Sequence, residues 1–465
     1  METRKKRDGI VMMGLIASVF LGIYYVGQSA RNIVFMDFWR NITLLIEPVM
    51  NGTLSINDVW YSSLGQRNPL QMLLVAVDIR FFNLNCLWES YAGIFVIAIS
   101  TCIVFWNFKR QIQDVDTSWR YRGCQLLFLP VMLALFSLNQ WEILSLQFSF
   151  AFMLRVCSYV LEMSIINSIL NGHRQDKICF LWAGIYFGII ILLLSQLYWA
   201  ALLGINLIVW LHWIITRRDT DIVQKTVLFW LPVACSIFLY FYKLDFAGGS
   251  NVFFSWIKNG KAFVAILYMF AASIWPQSKL EIMTKTTICT IGGAFLLIIL
   301  LAIFLYFKCG MHKKTYFPIM LVGYGLLSIP VIVYGRSCFG DVFYMTASRY
   351  VVETTLVWVG ALMIFAQVAI DFKDEKKDIW KKGSLIALVS FMAICFMYTD
   401  YTELKIAPYR GHGKEALFPV IINIDEYGDD DLIGLQQGDI NMVRTGVALM
   451  KKYSLNVFHD NERYD

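Results

Sequence analysis

Residues 261 to 276, KAFVAILYMFAASIWP, decide how this chain is threaded. The run is apolar, yet it is shorter than the roughly 20 residues a helix needs to cross a hydrocarbon core of about 30 Å. It lies between two longer apolar runs, about 226 to 242 and about 286 to 307. If it crosses, the basic clusters KCGMHKK (308 to 314) and DFKDEKKDIWKK (371 to 382) both fall outside the cell, against the tendency of Lys and Arg to stay inside. If it is re-entrant or interfacial, both clusters fall inside and GRSCFGDVFYMTASRY (335 to 350) falls outside. The charge rule selects the second threading.

Working outward in both directions, the same test orders the rest. METRKKRD precedes an apolar run at 10 to 27 that is long for a signal peptide and lacks an A-x-A cleavage pattern, so it reads as a signal anchor with its N-terminus inside. PLQMLLVAVDIRFF (69 to 82) is short and broken by Asp78 and Arg80, which suits an interfacial or re-entrant helix. Spans follow at about 91–107, 123–138, 148–170, 178–194, 197–215 and 226–242, then at about 286–307, 316–334, 350–370 and 384–399. Basic residues mark the inner turns at Lys109 and Arg110, at His173, Arg174 and Lys177, and at Arg217 and Arg218. The expectation is an all-α polytopic membrane protein of about eleven transmembrane helices, N-terminus inside, with a short C-terminal region outside. Residues 1–399 form the transmembrane catalytic domain with an outer loop at 28–70, and 400–465 form a small extracytoplasmic cap.

Composition narrows the classes further. Charged residues make up 16% and hydrophobic residues 58% of the chain, where soluble domains carry about 25% charged, so a soluble enzyme is excluded. The net charge of +6 sits in short clusters between spans and reports orientation, not nucleic-acid binding. The cysteines are scattered singly, many inside apolar runs, and each histidine stands alone, so neither a disulfide framework nor a zinc site has support.

On this threading the outer face gathers a particular set of side chains. RNIVFMDFWRNITLLIEPVMNGTLSINDVWYSSLGQRNPL (31 to 70) follows the first span and carries Asp37, Arg40, Glu47, Asp58 and Arg67 among aromatic residues that include Trp60. The loop NQWEILSLQ adds Trp141, Glu142 and Gln147, a turn adds Gln196, and the late loop adds Arg336, Arg349 and Tyr350. Charges beside a bilayer are costly unless paired, hydrated or in use. A few carboxylates among several arginines suit an anionic ligand, and lipid phosphate is the anion at that depth. Sugar transfer from a polyprenyl phosphate needs a base for the acceptor hydroxyl and cations for the departing phosphate, but no general acid. A glycosidase needs a second carboxyl group. Asp37 is one candidate carboxylate for such a site, and its spacing to Arg40 equally permits a structural helical ion pair.

The pattern resembles the bacterial polytopic glycosyltransferases of the GT-C fold, which use lipid-phosphate-linked sugars to modify cell-surface glycans. The matching residues are MDFWR (36 to 40), PVMNGTLSINDVW (48 to 60), QRNPL (66 to 70), NQWEILSLQFSF (139 to 150) and the group Arg336, Gly340 and Ser348 to Tyr350. The resemblance implies Asp37 as base or as ligand of a divalent cation. It implies Arg67, Arg336 and Arg349 at the donor phosphate and Trp60 or Trp141 at the sugar or acceptor. Gln66 stands where relatives often have His, and Asp37 has no adjacent second acid, so no metal ligand is assigned.

The expected function is transfer of a sugar from a polyprenyl-phosphate donor to a glycan such as O-antigen, teichoic acid or another wall polymer. It would take place on the outer face of the bacterial cytoplasmic membrane. The expected partners are the lipid-linked sugar donor, the glycan acceptor and membrane lipids, with no nucleic acid. The alternatives are an O-antigen or capsule polymerase and a flippase of lipid-linked sugars. For a flippase the chain offers Arg155 and Glu162, seven apart on one helix face, which read more simply as a buried structural pair.

Overall fold

A computed structural model describes residues 8–63, 66–112, 118–172, 176–194, 196–216, 221–244, 250–371, 376–436 and 439–459. His173, Arg174, Arg217 and Arg218, used above as inner markers, lie outside the described residues. In chain order the main helices are α1 (Gly9–Ser29), α2 (Phe38–Met50), α3 (Pro69–Phe81), α4 (Leu87–Gln111) and α5 (Ser118–Leu135). Next come α6 (Ser149–Leu170), α7 (Lys177–Leu193), α8 (Trp199–Thr216), α9 (Ile222–Phe241), α10 (Ser250–Lys258) and α11 (Lys261–Ala272). The last are α12 (Lys285–Lys308), α13 (Phe317–Arg336), α14 (Val351–Asp371), α15 (Lys376–Glu415) and α16 (Ile440–Lys452). A two-stranded hairpin, Ser62–Ser63 with Gln66–Arg67, interrupts the first loop.

The protein is an all-helical, multi-pass membrane protein, as expected. Among the described residues, 10 helices are long and apolar enough to cross a bilayer. The 17 residues of α7 complete the expected set, because its ends meet opposite ends of the bundle. Lys177 pairs with Asp221 at one end, and Gln196, just past its other end, accepts from Arg155. Helix α7 packs so closely on α9 that a Cβ at Gly184 would lie 2.3 Å from the carbonyl oxygen of Phe229. At the centre stands α14, buried on every side from Val351 to Ala369, the expected place for a helix that is apolar all round.

Contacts at the two ends settle the threading of 261 to 276. Asn139 donates to the carbonyl of Ala272 at 2.6 Å, and Arg67 donates to that of Tyr242 at 2.7 Å. Both therefore lie at the end that carries the long loops. Helix α12 finishes at the opposite end, where Tyr306 donates to the carbonyl of Thr315 and Asn167 accepts from the backbone of Tyr316 and Phe317. The chain from 243 to 284 thus begins and ends on the loop side. Helix α11 is a 12-residue helix that stays there, seated on α12 so tightly that a Cβ at Gly292 would lie 1.9 Å from the carbonyl oxygen of Leu267.

Two boundaries differ from the sequence expectation. The last span does not stop at 399: α15 runs unbroken for 40 residues, about 60 Å at 1.5 Å per residue, and carries its polar last turns beyond the bundle core. Those polar groups stay helical because the loops satisfy them, as detailed below. The C-terminal segment is also not a cap by itself. A second apolar core, separate from that of the bundle, joins Trp39, Ile42 and Ile46 of α2 and Met72 and Val75 of α3 to Val443, Val447 and Met450 of α16. First loop and C-terminal segment fold as one layer over the loop end.

Candidate active site

Asp37 opens α2, and the turn before it is held from two sides. Met36 adopts φ 55, a left-handed conformation that costs a non-glycine residue of order 1–2 kcal/mol. Its backbone N–H donates to the carbonyl of Leu435 at 2.8 Å, and Gln147 donates to the carbonyl of Phe35 at 2.8 Å. The strain turns Asp37 outward at the helix N-terminus, where the helix dipole favours a negative charge. Its carboxylate is exposed, makes no capping bond, and has no hydrogen-bond or ion-pair partner among the described residues. The ion pair with Arg40 that the spacing permits is not made. Arg40 is half-buried one turn further on.

The other acids of the first loop are occupied. Asp58 accepts from both the hydroxyl and the backbone N–H of Ser55, at 2.7 and 2.8 Å, and these bonds hold its carboxyl below the usual range. Glu47 pairs with Lys452 of α16 at 2.8 Å. Arg67 is buried at 4% exposure and donates to the carbonyls of Trp60, Tyr242 and Lys243 at 3.1, 2.7 and 2.8 Å, with its guanidinium 5.1 Å from the Trp60 ring centre. Arg67 and Trp60 therefore clamp the first loop to the end of α9. A guanidinium spent on carbonyls is a poor phosphate ligand.

The segment 136 to 148 is the keystone of this end. Nearly every residue in it is buried, and its polar groups reach several neighbouring segments. Asp400 of α15 accepts from the backbone of Leu138 at 2.8 Å, Asn139 holds Ala272, and Gln147 holds Phe35. Trp141 lies under the guanidinium of Arg410, 3.9 Å from its ring centre. Lys414, also buried, donates to the carbonyls of Ser145 and Ser29 at 2.6 and 3.1 Å. Glu142 pairs with Arg349 at 2.8 Å, and its backbone N–H donates to the hydroxyl of Ser348 at 2.9 Å. Trp141, Glu142 and Gln147, singled out by motif as ligand contacts, are each held here by a contact within the protein.

The late loop sorts its two arginines differently. Arg349 is held by Glu142 and also donates to the Tyr344 hydroxyl. Arg336, at the end of α13, is half-buried and meets only ring faces, 5.9 Å from that of Phe339 and 5.7 Å from that of Tyr350. It has no carboxylate or hydrogen-bond partner among the described residues. The Tyr350 hydroxyl is buried without a hydrogen-bond partner.

Below this layer lies a group the sequence reading did not find. Arg155 of α6 does not pair with Glu162. It pairs with Glu353 of α14, which also accepts from the Tyr324 hydroxyl. Glu162 instead accepts from Asn206 at 3.2 Å. Arg155 also donates to Gln196 at 3.2 Å and stacks between Phe152 and Tyr198 at 4.4 and 4.5 Å. Arg410 and Lys414 were missed as well, although Glu403 and Arg410, two helical turns apart and paired, are a signal of continued helix. Among the described residues no group of three or more His, Cys, Asp or Glu side chains could hold a metal ion.

The fold and this end of it define a polytopic helical membrane protein with a loop-built polar site at one membrane surface. Along 97% of its length the chain is similar to the crystal structure of ArnT from Cupriavidus metallidurans bound to undecaprenyl phosphate, at 11% identity and a TM-score of 0.43, the match covering 77% of that protein. No family model matches the sequence, and no curated protein matches it.

Proposed function

We propose that the chain is a glycosyltransferase of the bacterial cytoplasmic membrane that moves a sugar from a polyprenyl-phosphate donor to a cell-surface glycan. The loop end faces outward in this reading, because Lys109, Arg110, Lys308 and Lys314 collect at the other end. The observation that carries the proposal is a pair of side chains left without partners while their neighbours are paired. Among the described residues Asp37 is an exposed carboxylate with no cation, and Arg336 is a half-buried cation with no anion.

Asp37 takes the proton of the acceptor hydroxyl as that oxygen bonds the anomeric carbon. The bond from the anomeric carbon to the phosphate oxygen breaks, and its electron pair leaves with the polyprenyl phosphate. Arg336 donates to the phosphate oxygens as the charge grows there, where a preoriented cation in a dry site is worth most. Arg349, tied to Glu142, adds field from a fixed position. No general acid is required because the phosphate leaves without protonation. A divalent cation shared with Asp37 is compatible with this scheme, and no step depends on one.

The test is transfer of labelled sugar from a panel of polyprenyl-phosphate donors in membranes holding the wild-type chain or Asp37→Asn. Transfer by the wild type, with a folded Asn variant reduced at least 100-fold, supports the reading. Full activity of the variant, or no transfer from any donor, overturns it and moves the polymerase and flippase alternatives ahead.

A further inference from the structure

A groove lies at the end opposite Asp37. It encloses about 710 Å³ between α4, α6 and α7, and it opens sideways, since Trp106 and Trp182 on its rims are 59% and 62% exposed. Its head is polar. Arg110, in the last turn of α4, donates to the Ser168 hydroxyl at 2.9 Å and lies over the Trp106 ring, and Ser164 accepts from Asn107 at 2.8 Å. Its floor is apolar and continues along α6 from Ser168 to Leu161, seven residues or about 10 Å toward the middle of the membrane.

Charge sorts the occupants. The lysines around the groove are neutralised, Lys109 by Asp8 and Lys177 by Asp221. Arg110 is half-buried, and no carboxylate pairs with it among the described residues. A guanidinium at the membrane surface, next to two hydroxyls and above an apolar cleft open to lipid, matches a phosphate with an acyl chain attached. Tryptophan rims are suited to the headgroup level. We propose that this groove binds one anionic phospholipid from the leaflet at this end of the bundle, its phosphate on Arg110 and Ser168 and one acyl chain along Leu161 and Ile165. The site is separate from the one at Asp37 and does not depend on the reaction assigned there.

Native mass spectrometry of the full chain in detergent, titrated with phosphatidylglycerol or with zwitterionic phosphatidylcholine of the same acyl chains, tests it. One phosphatidylglycerol should be retained at least tenfold more tightly than phosphatidylcholine. Arg110→Gln should lose that preference, and Arg110→Lys should keep part of it. Ile165→Trp, which fills the acyl channel and leaves the cation in place, should weaken retention of the same lipid and thereby covers the case in which Arg110→Gln does not fold. Equal retention of both lipids by the wild type, or undiminished phosphatidylglycerol retention by a monodisperse Arg110→Gln or Ile165→Trp variant, overturns the proposal.

Discussion

Replacing Arg336 and Arg349 in turn should separate binding chemistry from scaffolding, because the two lie in one loop and differ in their partners. Arg336→Gln removes only contacts with ring faces, each worth roughly 0.5–1 kcal/mol at a partly exposed site, so the unfolding midpoint should move little. If its guanidinium holds the departing phosphate, the variant loses a charged hydrogen bond of about 1.5–3 kcal/mol. At 1.36 kcal/mol per tenfold, that is a loss of roughly 10- to 150-fold, and it should fall on kcat because the phosphate charge grows in the transition state. Arg349→Gln leaves Glu142 without its cation. Breaking a fully buried pair costs about 3–5 kcal/mol, and with side-chain exposures of 22% and 10% a discounted cost of about 2–3 kcal/mol is appropriate. That variant should lower the unfolding midpoint clearly. Thermal unfolding of both purified variants in one detergent, run beside sugar-transfer kinetics, reads both quantities. Full activity in a folded Arg336→Gln variant, or equal stability loss in both, would refute the reasoning.

Three further outcomes follow from the same contacts. Arg155→Met should destabilise by about 3–5 kcal/mol by stranding the Glu353 carboxylate in the bundle, and adding Glu353→Leu should restore much of the loss in a double-mutant cycle of unfolding midpoints. Gly292→Ala should loosen α11 from α12 at a cost above about 2 kcal/mol, because its Cβ meets a carbonyl at 1.9 Å, whereas Gly293→Ala meets nothing within 4 Å and should be neutral or slightly stabilising. Asp78 supplies a pH dependence. Burial pushes its carboxyl up to about 7, against the opposing hydrogen bond from Trp88. The folded state therefore holds a proton that the unfolded state releases near pH 4, so this contribution to stability is full below about pH 4 and is lost as pH rises toward and through 7. The wild type should lose about 2–4 kcal/mol from this group between pH 4 and 8, Asp78→Asn should lose little, and unfolding midpoints at the two pH values decide it.

Much of the fold was legible because two simple physical rules act over long runs. Span length and the placement of Lys and Arg were enough to keep 261 to 276 on one side, and the contacts of Ala272 and Tyr242 place it there. The end of α15 was misread for the same reason the rest succeeded. Residues 400 to 415 carry Asp400, Glu403, Arg410 and Lys414, which in sequence look like a solvated segment leaving the bilayer. In the fold each has a partner: Leu138 for Asp400, Arg410 for Glu403, and the carbonyls of Ser29 and Ser145 for Lys414. Hydropathy weighs a side chain against water, whereas these groups are weighed against partners up to 385 residues away.

The candidate site shows the same limit in sharper form. Residue type and threading brought Asp37, Arg67, Arg336 and Arg349 to one end of the molecule, and nothing local distinguishes one of those arginines from another. They separate only through what they face: Arg67 meets carbonyls of a segment 175 residues on, Arg349 meets Glu142 at a separation of 207, and Arg336 meets only aromatic faces among the described residues. A cation already satisfied by the fold gains little from a ligand and loses its structural contacts on moving toward one. A cation left with ring faces and no anion remains the better phosphate ligand, because binding requires breaking nothing. The same reasoning selects Asp37 over Asp58 and Glu47 as the base. At the far surface of the membrane Arg110 faces a groove with a hydroxyl and a ring as partners but no carboxylate among the described residues. On the proposed reading, a charge without an opposite charge beside it, rather than charge alone, marks a binding position in this bundle.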